Sequence, residues 1–173
     1  MTDPNYENDE FWAAAIDIPD DFKLALADFI INFGRLELAI DRLIWWAAGV
    51  DNREIGKALT ARLDIRPKCE MAEAMLAQFE DNTVWTKFKA QKKEIEDVTK
   101  RRNAVVHGWW AAFGETAVAM SIRGKQAGAG AFAGGKPFTA DDLGKDGART
   151  KKVERAVLSL ISVPTPSFRK HEH

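Results

Sequence analysis

PDDFKLALADFIINFGRLELAIDRLIWWAAG, residues 19–49, decides the fold class. Its apolar residues recur at Phe22, Leu26, Phe29, Phe33, Leu36, Ile40, Leu43 and Ala47, in alternating steps of four and three without a slip. That period follows the helical repeat of about 3.6 residues and predicts one long amphipathic helix with a seam for helix partners. Pro19 opens it, and Asp20 and Asp21 lie in the first turn, where the helix dipole favours negative charge. Gly49 closes it.

Outward from this helix the pattern stays mostly helical. A short helix is expected after Asn52 (Ile55, Leu59, Leu63) and another after Pro67 (Met71, Met75, Leu76, Phe79). Asp81 or Asn82 caps a second long helix with the stripe Val84, Trp85, Phe88, Ile95, Val98, Val105 and Val106, and Gly108 stops it. The period then changes. Residues 109–123 read as a β-hairpin turning at Gly114-Glu115, and 124–137 as a Gly/Ala-rich loop. A last helix runs over about 139–161, with Asp142 as its capping-box acid and Gly144 and Gly147 weakening its start. The fold expected is mainly α: an antiparallel bundle of two long and two or three shorter helices with a small hairpin. Residues 1–18 form an acidic arm, 19–163 one domain, and 164–173 a basic tail.

At 173 residues, with 46% hydrophobic and 29% charged residues, the chain can bury one real core. A formal net charge of -1 supplies no overall positive field, so any nucleic-acid contact must be local. One such place is the run Lys87, Lys89, Lys92, Lys93, Lys100, Arg101 and Arg102, although Glu94, Glu96 and Asp97 mark most of it as a solvated helix face. Cys69 is the single cysteine, which excludes an intrachain disulfide and a cysteine metal cluster. The opening MTDPNYENDE has neither basic nor apolar leader character, and no apolar run reaches the roughly 18 residues of a membrane span. A cytoplasmic location is expected, with no membrane contact, no metal and no cofactor.

Two look-alike motifs can be set aside. Gly130 to Lys136 follows most of a phosphate-loop pattern, but Pro137 stands where Ser or Thr should bind magnesium and removes a backbone N–H. His171-Glu172-His173 are adjacent tail residues that preorganise no metal site.

The remaining histidine, His107, falls at the end of a long helix, where the dipole favours a cation. Asn103 lies one turn back, and Arg102 falls near the centre of the apolar stripe. A guanidinium there is costly without a partner. On the residues alone two readings stand. Arg102 pairs structurally with Glu37 (with Asp41 beside it) while His107 caps the helix, or the group is a functional site.

The segment Arg102-Asn103-Ala104-Val105-Val106-His107 resembles the signature of the HEPN superfamily: Arg, four to six residues, then His, with a polar residue after the Arg. Phe33-Gly34-Arg35-Leu36-Glu37 is similar to the first helix of such proteins, and the likeness spans roughly Asp20 to Phe113. The hairpin, loop and last helix lie outside the minimal core of that family. The resemblance implies a metal-independent RNA endonuclease, a toxin or defence effector, working as a homodimer with RNA as substrate and with a cognate antitoxin as a further partner. Arg102 would hold the scissile phosphate, His107 transfer a proton, and Asn103 position one or the other, with Glu37, Asp41 and Arg101 supporting. A non-catalytic HEPN-like module that binds a nucleotide or protein is the alternative. On an ideal helix Arg102 and His107 point about 140° apart and sit about 7.5 Å apart along the axis. A single-chain site would need the last turn to unwind. A site composed across an isologous dimer burying this helix end, near Trp109 and Trp110, would not.

Overall fold

The computed structural model describes residues 18–107, 109–113, 116–120 and 136–161, with side chains for 18–107 and 138–161. Over these residues the chain is mainly helical. In chain order the elements are α1 (Asp20–Ala47), α2 (Arg53–Thr60), α3 (Ile65–Leu76), α4 (Thr83–Val106), β1 (Trp109–Phe113), β2 (Thr116–Met120), β3 (Lys136–Phe138) and α5 (Ala140–Ile161). The expected arm, the turn at Gly114-Glu115, the phosphate-loop look-alike as far as Gly135 and the histidine-bearing tail lie outside the described residues.

The α1 seam is buried as its spacing requires, with Phe22, Phe29, Phe33, Leu36, Ile40, Leu43 and Ala47 all inside. Asn52 caps α2 by accepting the backbone N–H groups of Glu54 (2.9 Å) and Ile55 (3.3 Å). Helix α3 starts two residues before Pro67, which therefore sits inside the first turn. A proline is tolerated there because that turn has no internal acceptor for its missing N–H. Asp81, just ahead of α4, accepts both the backbone N–H and the hydroxyl of Thr83 at 2.8 and 2.6 Å.

Helix α5 occupies the expected range of about 139–161, but it is not one of the shorter helices. At 22 residues it is a third long helix beside the 28 of α1 and the 24 of α4. Its start is a reciprocal capping box: the Thr139 N–H donates to Asp142 (3.1 Å) and the Asp142 N–H to the Thr139 hydroxyl (3.0 Å). The Thr139 N–H, followed by the Thr139 side chain, holds the Asp142 carboxyl below its ordinary range. Leu143, Val153, Val157 and Leu160 enter the core, and α5 packs along α1 and also against α4. Gly147 marks the close approach to α1, for a Cβ there would meet Asp28 Oδ2 at 3.2 Å and the Phe29 backbone at 3.7 Å.

Arg35 pairs with Glu154, a separation of 119 residues, and Gly147 meets Asp28 at the same offset, so α1 and α5 run in the same direction. Against α4, α5 runs the opposite way, since Arg101 meets Asp146 while Glu94 and Asp97 meet Arg149 further along. The helices are thus not all antiparallel to their neighbours. In the three-stranded sheet, order β1-β2-β3, β1 pairs antiparallel with β2 and β2 with β3. The stretch expected as loop therefore ends in a strand, whose Phe138 is fully buried with Phe22, Phe29, Val105 and Leu143.

Two glycines should respond oppositely to alanine. A Cβ at Gly56 would meet the Trp45 ring at 2.6–2.9 Å, where the indole is held by its N–H bond to the Thr60 hydroxyl (3.3 Å). Gly56→Ala is therefore expected to cost about 1–3 kcal/mol despite alanine's better helix propensity. Gly144 has nothing within 4 Å, so Gly144→Ala should gain up to about 1 kcal/mol. Thermal unfolding of the two variants checks both signs.

Candidate functional site

The last turn of α4 carries the residues singled out by the sequence, and it stays wound. His107 is the C-cap, and its backbone N–H donates to the Asn103 carbonyl at 3.0 Å, a normal helical bond. Arg102 and His107 consequently leave the helix on different faces, and one chain does not gather them around a common point. His107 is exposed, as is Asn103. Arg102 is half-buried, its guanidinium 5.4 Å from the centre of the Phe33 ring on α1. Its Nη1 donates to Asn103 Oδ1 at 3.1 Å, so these two neighbours are joined. Among the described residues the buried Arg102 Nε has no hydrogen-bond partner.

The acids expected near Arg102, Glu37 and Asp41, do not pair with it. Arg102 and Glu37 make no ion pair. Asp41 is taken by Lys68 of α3, whose ammonium lies 2.9 Å from Oδ1 and 3.2 Å from Oδ2. Both side chains of that pair are largely buried, so each needs the other. Arg101, one residue before Arg102, points to α5. It pairs with Asp146 at 2.7 Å and stacks 4.3 Å from the centre of the Phe138 ring. Arg101 is thus a tie between α4 and α5. No family model, no curated protein and no solved structure matches this chain.

A cleft of about 480 Å³ opens between α3 and α4, beside this turn and not within it. Arg66, Cys69, Glu70, Lys92, Thr99, Lys100 and Asn103 are among the residues lining it, and only Asn103 belongs to the motif. Its cations are largely balanced: Arg66 pairs with Glu70, and Lys92 with Glu73. Burial pushes the Cys69 thiol up to about 12. Among the described residues no three His, Cys, Asp or Glu side chains come together as a metal site would need.

The ion pairs that the sequence reading missed lie mostly on α5. Asp146, Thr150 and Glu154 are buried on the face that also carries Leu143 and Val157. Glu154 accepts from Arg35 at 3.1 Å, and Arg149 on the flank of α5 reaches Glu94 and Asp97 at 3.1 Å or less. Polar residues at four-residue steps inside an apolar arc were the available signal, the same one that singled out Arg102.

The two adjacent arginines should separate cleanly in stability. Arg101→Ala strands the Asp146 carboxylate and is expected to cost about 3 kcal/mol. Arg102→Ala removes a stack and one bond to an exposed amide, and should cost about 1 kcal/mol or less. Urea unfolding of both variants provides the comparison.

Cys69 should ignore a disulfide-exchange reagent in the native protein at about pH 8, because its raised pKa leaves almost no thiolate. Full reaction is expected once denaturant is added. Rapid native labelling would show the thiol to be ionised and open.

Proposed function

We propose that this chain is a metal-independent RNA endonuclease of the HEPN kind, with Arg102, Asn103 and His107 acting across a homodimer. The observation that carries the reading is the state of Arg102. Among the described residues this permanently charged, half-buried guanidinium has no carboxylate partner, while the arginine beside it has one. Such a charge is stabilised by an anion, and a phosphodiester fits the fork of a guanidinium.

On this reading Arg102 holds the scissile phosphate and stabilises the charge that develops on it. Asn103 fixes the guanidinium through its side-chain oxygen. His107, exposed at the helix end, exchanges a proton with the ribose 2′-hydroxyl or the leaving oxygen, a role suited to imidazole near neutral pH. Attack by the neighbouring 2′-hydroxyl is intramolecular, so the step needs no external nucleophile. Because the wound helix keeps Arg102 and His107 on separate faces, each would act with the other chain's counterpart. The arrangement of α1, α3 and α4 then corresponds to the helical bundle of that family, with β1 and β2 as its added hairpin and with the activity of a toxin or defence effector.

A second reading, a non-catalytic module that binds a nucleotide, is favoured by the cleft between α3 and α4, which reaches the motif only at Asn103. The two are separated by one assay. Purified protein with mixed RNA should produce 2′,3′-cyclic phosphate ends in the presence of EDTA, and Arg102→Ala and His107→Ala should each abolish cleavage with melting temperature intact. Mixing the two inactive chains should restore part of the activity if the site is shared. Ligand-dependent stabilisation without cleavage would favour the binding module.

A further inference from the structure

The outward face of α1, away from Phe33 and Arg102, carries apolar side chains that the described residues leave uncovered. Leu24, Ile31 and Leu38 are 72%, 62% and 41% exposed. They recur every seven residues, and at about 100° per residue they form one stripe. Single exposed leucines need no explanation, but three in line are costly to leave in water.

Helix α5 runs beside this stripe and makes it one wall of a shallow groove. Asp28 meets Gly147 and Arg35 meets Glu154 at the same offset, so positions on the two helices correspond by level. Gly144 falls about level with Leu24, Lys151 with Ile31, and Arg155 just short of Leu38. Outward from Glu154, the helical angle brings Gly144, Lys151 and Arg155 to the groove edge. The α5 wall is low at its start, where Gly144 has nothing within 4 Å of the position a Cβ would take. Further along it is basic. Lys151, Lys152 and Arg155 are exposed and make no ion pair among the described residues. Arg42, exposed one turn past Leu38, is a fourth such cation. The acids on this side, Asp28 and Glu154, are engaged by Asn32 and Arg35.

We propose that residues 1–17 fold back at Pro19 and lie along this groove. Three observations select that occupant. The first is charge: the segment holds the five acids Asp3, Glu7, Asp9, Glu10 and Asp17 and no lysine or arginine. With Phe11, Trp12 and Ile16 it is an acidic, apolar ribbon, the complement of an apolar stripe with a basic border.

The second is the point of departure. Ile18 packs against the cluster that holds Phe22 of α1 and Leu143 of α5, so the segment starts where the groove starts. Pro19 is extended, with φ -54° and ψ 145°, and takes the chain off the α1 axis.

The third is reach. At 1.5 Å per residue Leu24 lies about 6 Å along α1 from Asp20, Ile31 about 16 Å, the level of Arg155 about 24 Å and Arg42 about 33 Å. An extended chain advances about 3.3 Å per residue. Turning back at Ile18, it brings Ile16 over Leu24, Trp12 and Ala13 over Ile31, Asp9 and Glu10 among the α5 bases, and Glu7 to Arg42. Tethering also makes the docking intramolecular, with an effective concentration on the order of millimolar, which a separate acidic peptide lacks. This inference does not need the nuclease reading, and it leaves the Arg102 side of α1 open.

The test uses the full chain with Ala13→Cys and Ile31→Cys in one molecule. Mild oxidation should link them at single-chain mass, at the same rate in dilute and concentrated protein. Ala13→Cys combined with Ile55→Cys, an exposed position on α2, should stay reduced. The buried Cys69 does not compete. Ile31→Cys alone should react with a bulky maleimide at least about tenfold faster once Lys151→Glu and Arg155→Glu are added, because the weakened arm opens more often. Both of those side chains are exposed, so helical circular dichroism should not change. Deleting residues 1–17 should speed labelling in the same way. Equal labelling rates with native and reversed charges would overturn the proposal. So would a disulfide found only at twice the chain mass, which places a second copy on the stripe. Protection of Ile31→Cys that arises only with anionic lipid vesicles would also overturn it, in favour of a membrane surface.

Discussion

Two carboxylates on α5, those of Asp146 and Glu154, are buried on the helix face that also carries Leu143, Val153 and Val157. Removing a carboxylate from water costs several kcal/mol unless a cation accompanies it. The cations come from two other helices, Arg35 from α1 and Arg101 from α4. Each pair therefore does more than neutralise charge. It fixes how far along its neighbour α5 can slide, because a shift of one turn would strand both acids. Gly147 lies on the same arc and lets the α1 backbone come near enough for the Arg35 contact to form. Apolar packing alone would tolerate several registers of three long helices, whereas the paired charges leave one.

Arg101 and Arg102 show how strongly neighbouring positions on a helix can differ. They are one residue apart and so point about 100° apart. Arg101 faces α5, where Asp146 and the Phe138 ring receive it. Arg102 faces α1, where it meets an aromatic ring and no acid. The acid that might have served it, Asp41, is held by Lys68 on α3. The geometry thus uses one arginine in the architecture and leaves the other without an acid partner among the described residues, at an edge that also exposes Asn103 and His107.

Much of the helical content was legible from local rules. The unbroken spacing in α1, the Asn52 cap and the Thr139–Asp142 box are short-range signals, and each is realised in side-chain positions or hydrogen bonds. The role of α5 was not legible. Gly144 and Gly147 argued for a weak start, but one glycine is exposed on an open surface and the other serves a helix crossing, a distinction that depends on a neighbour far away in sequence. The same holds for the candidate site. The position of Arg102 in an apolar stripe was visible, but which acid answered it was a question of three-dimensional proximity. Glu37 was the nearest in pattern, and Arg102 makes no ion pair with it.

The parallel alignment of α1 and α5 also constrains the order in which the chain can fold. Contacts between α1 and α5 span 119 residues at the Arg35–Glu154 pair, whereas α2 can fold back on Trp45 through the Thr60 bond only 15 residues away. Closing the longer loop costs more chain entropy, and such long-range contacts slow folding. During synthesis the first helix therefore emerges with much of its apolar flank bare and waits for the last helix to cover it. Over that interval nascent chains are most exposed to mutual association, and chaperones have most to protect.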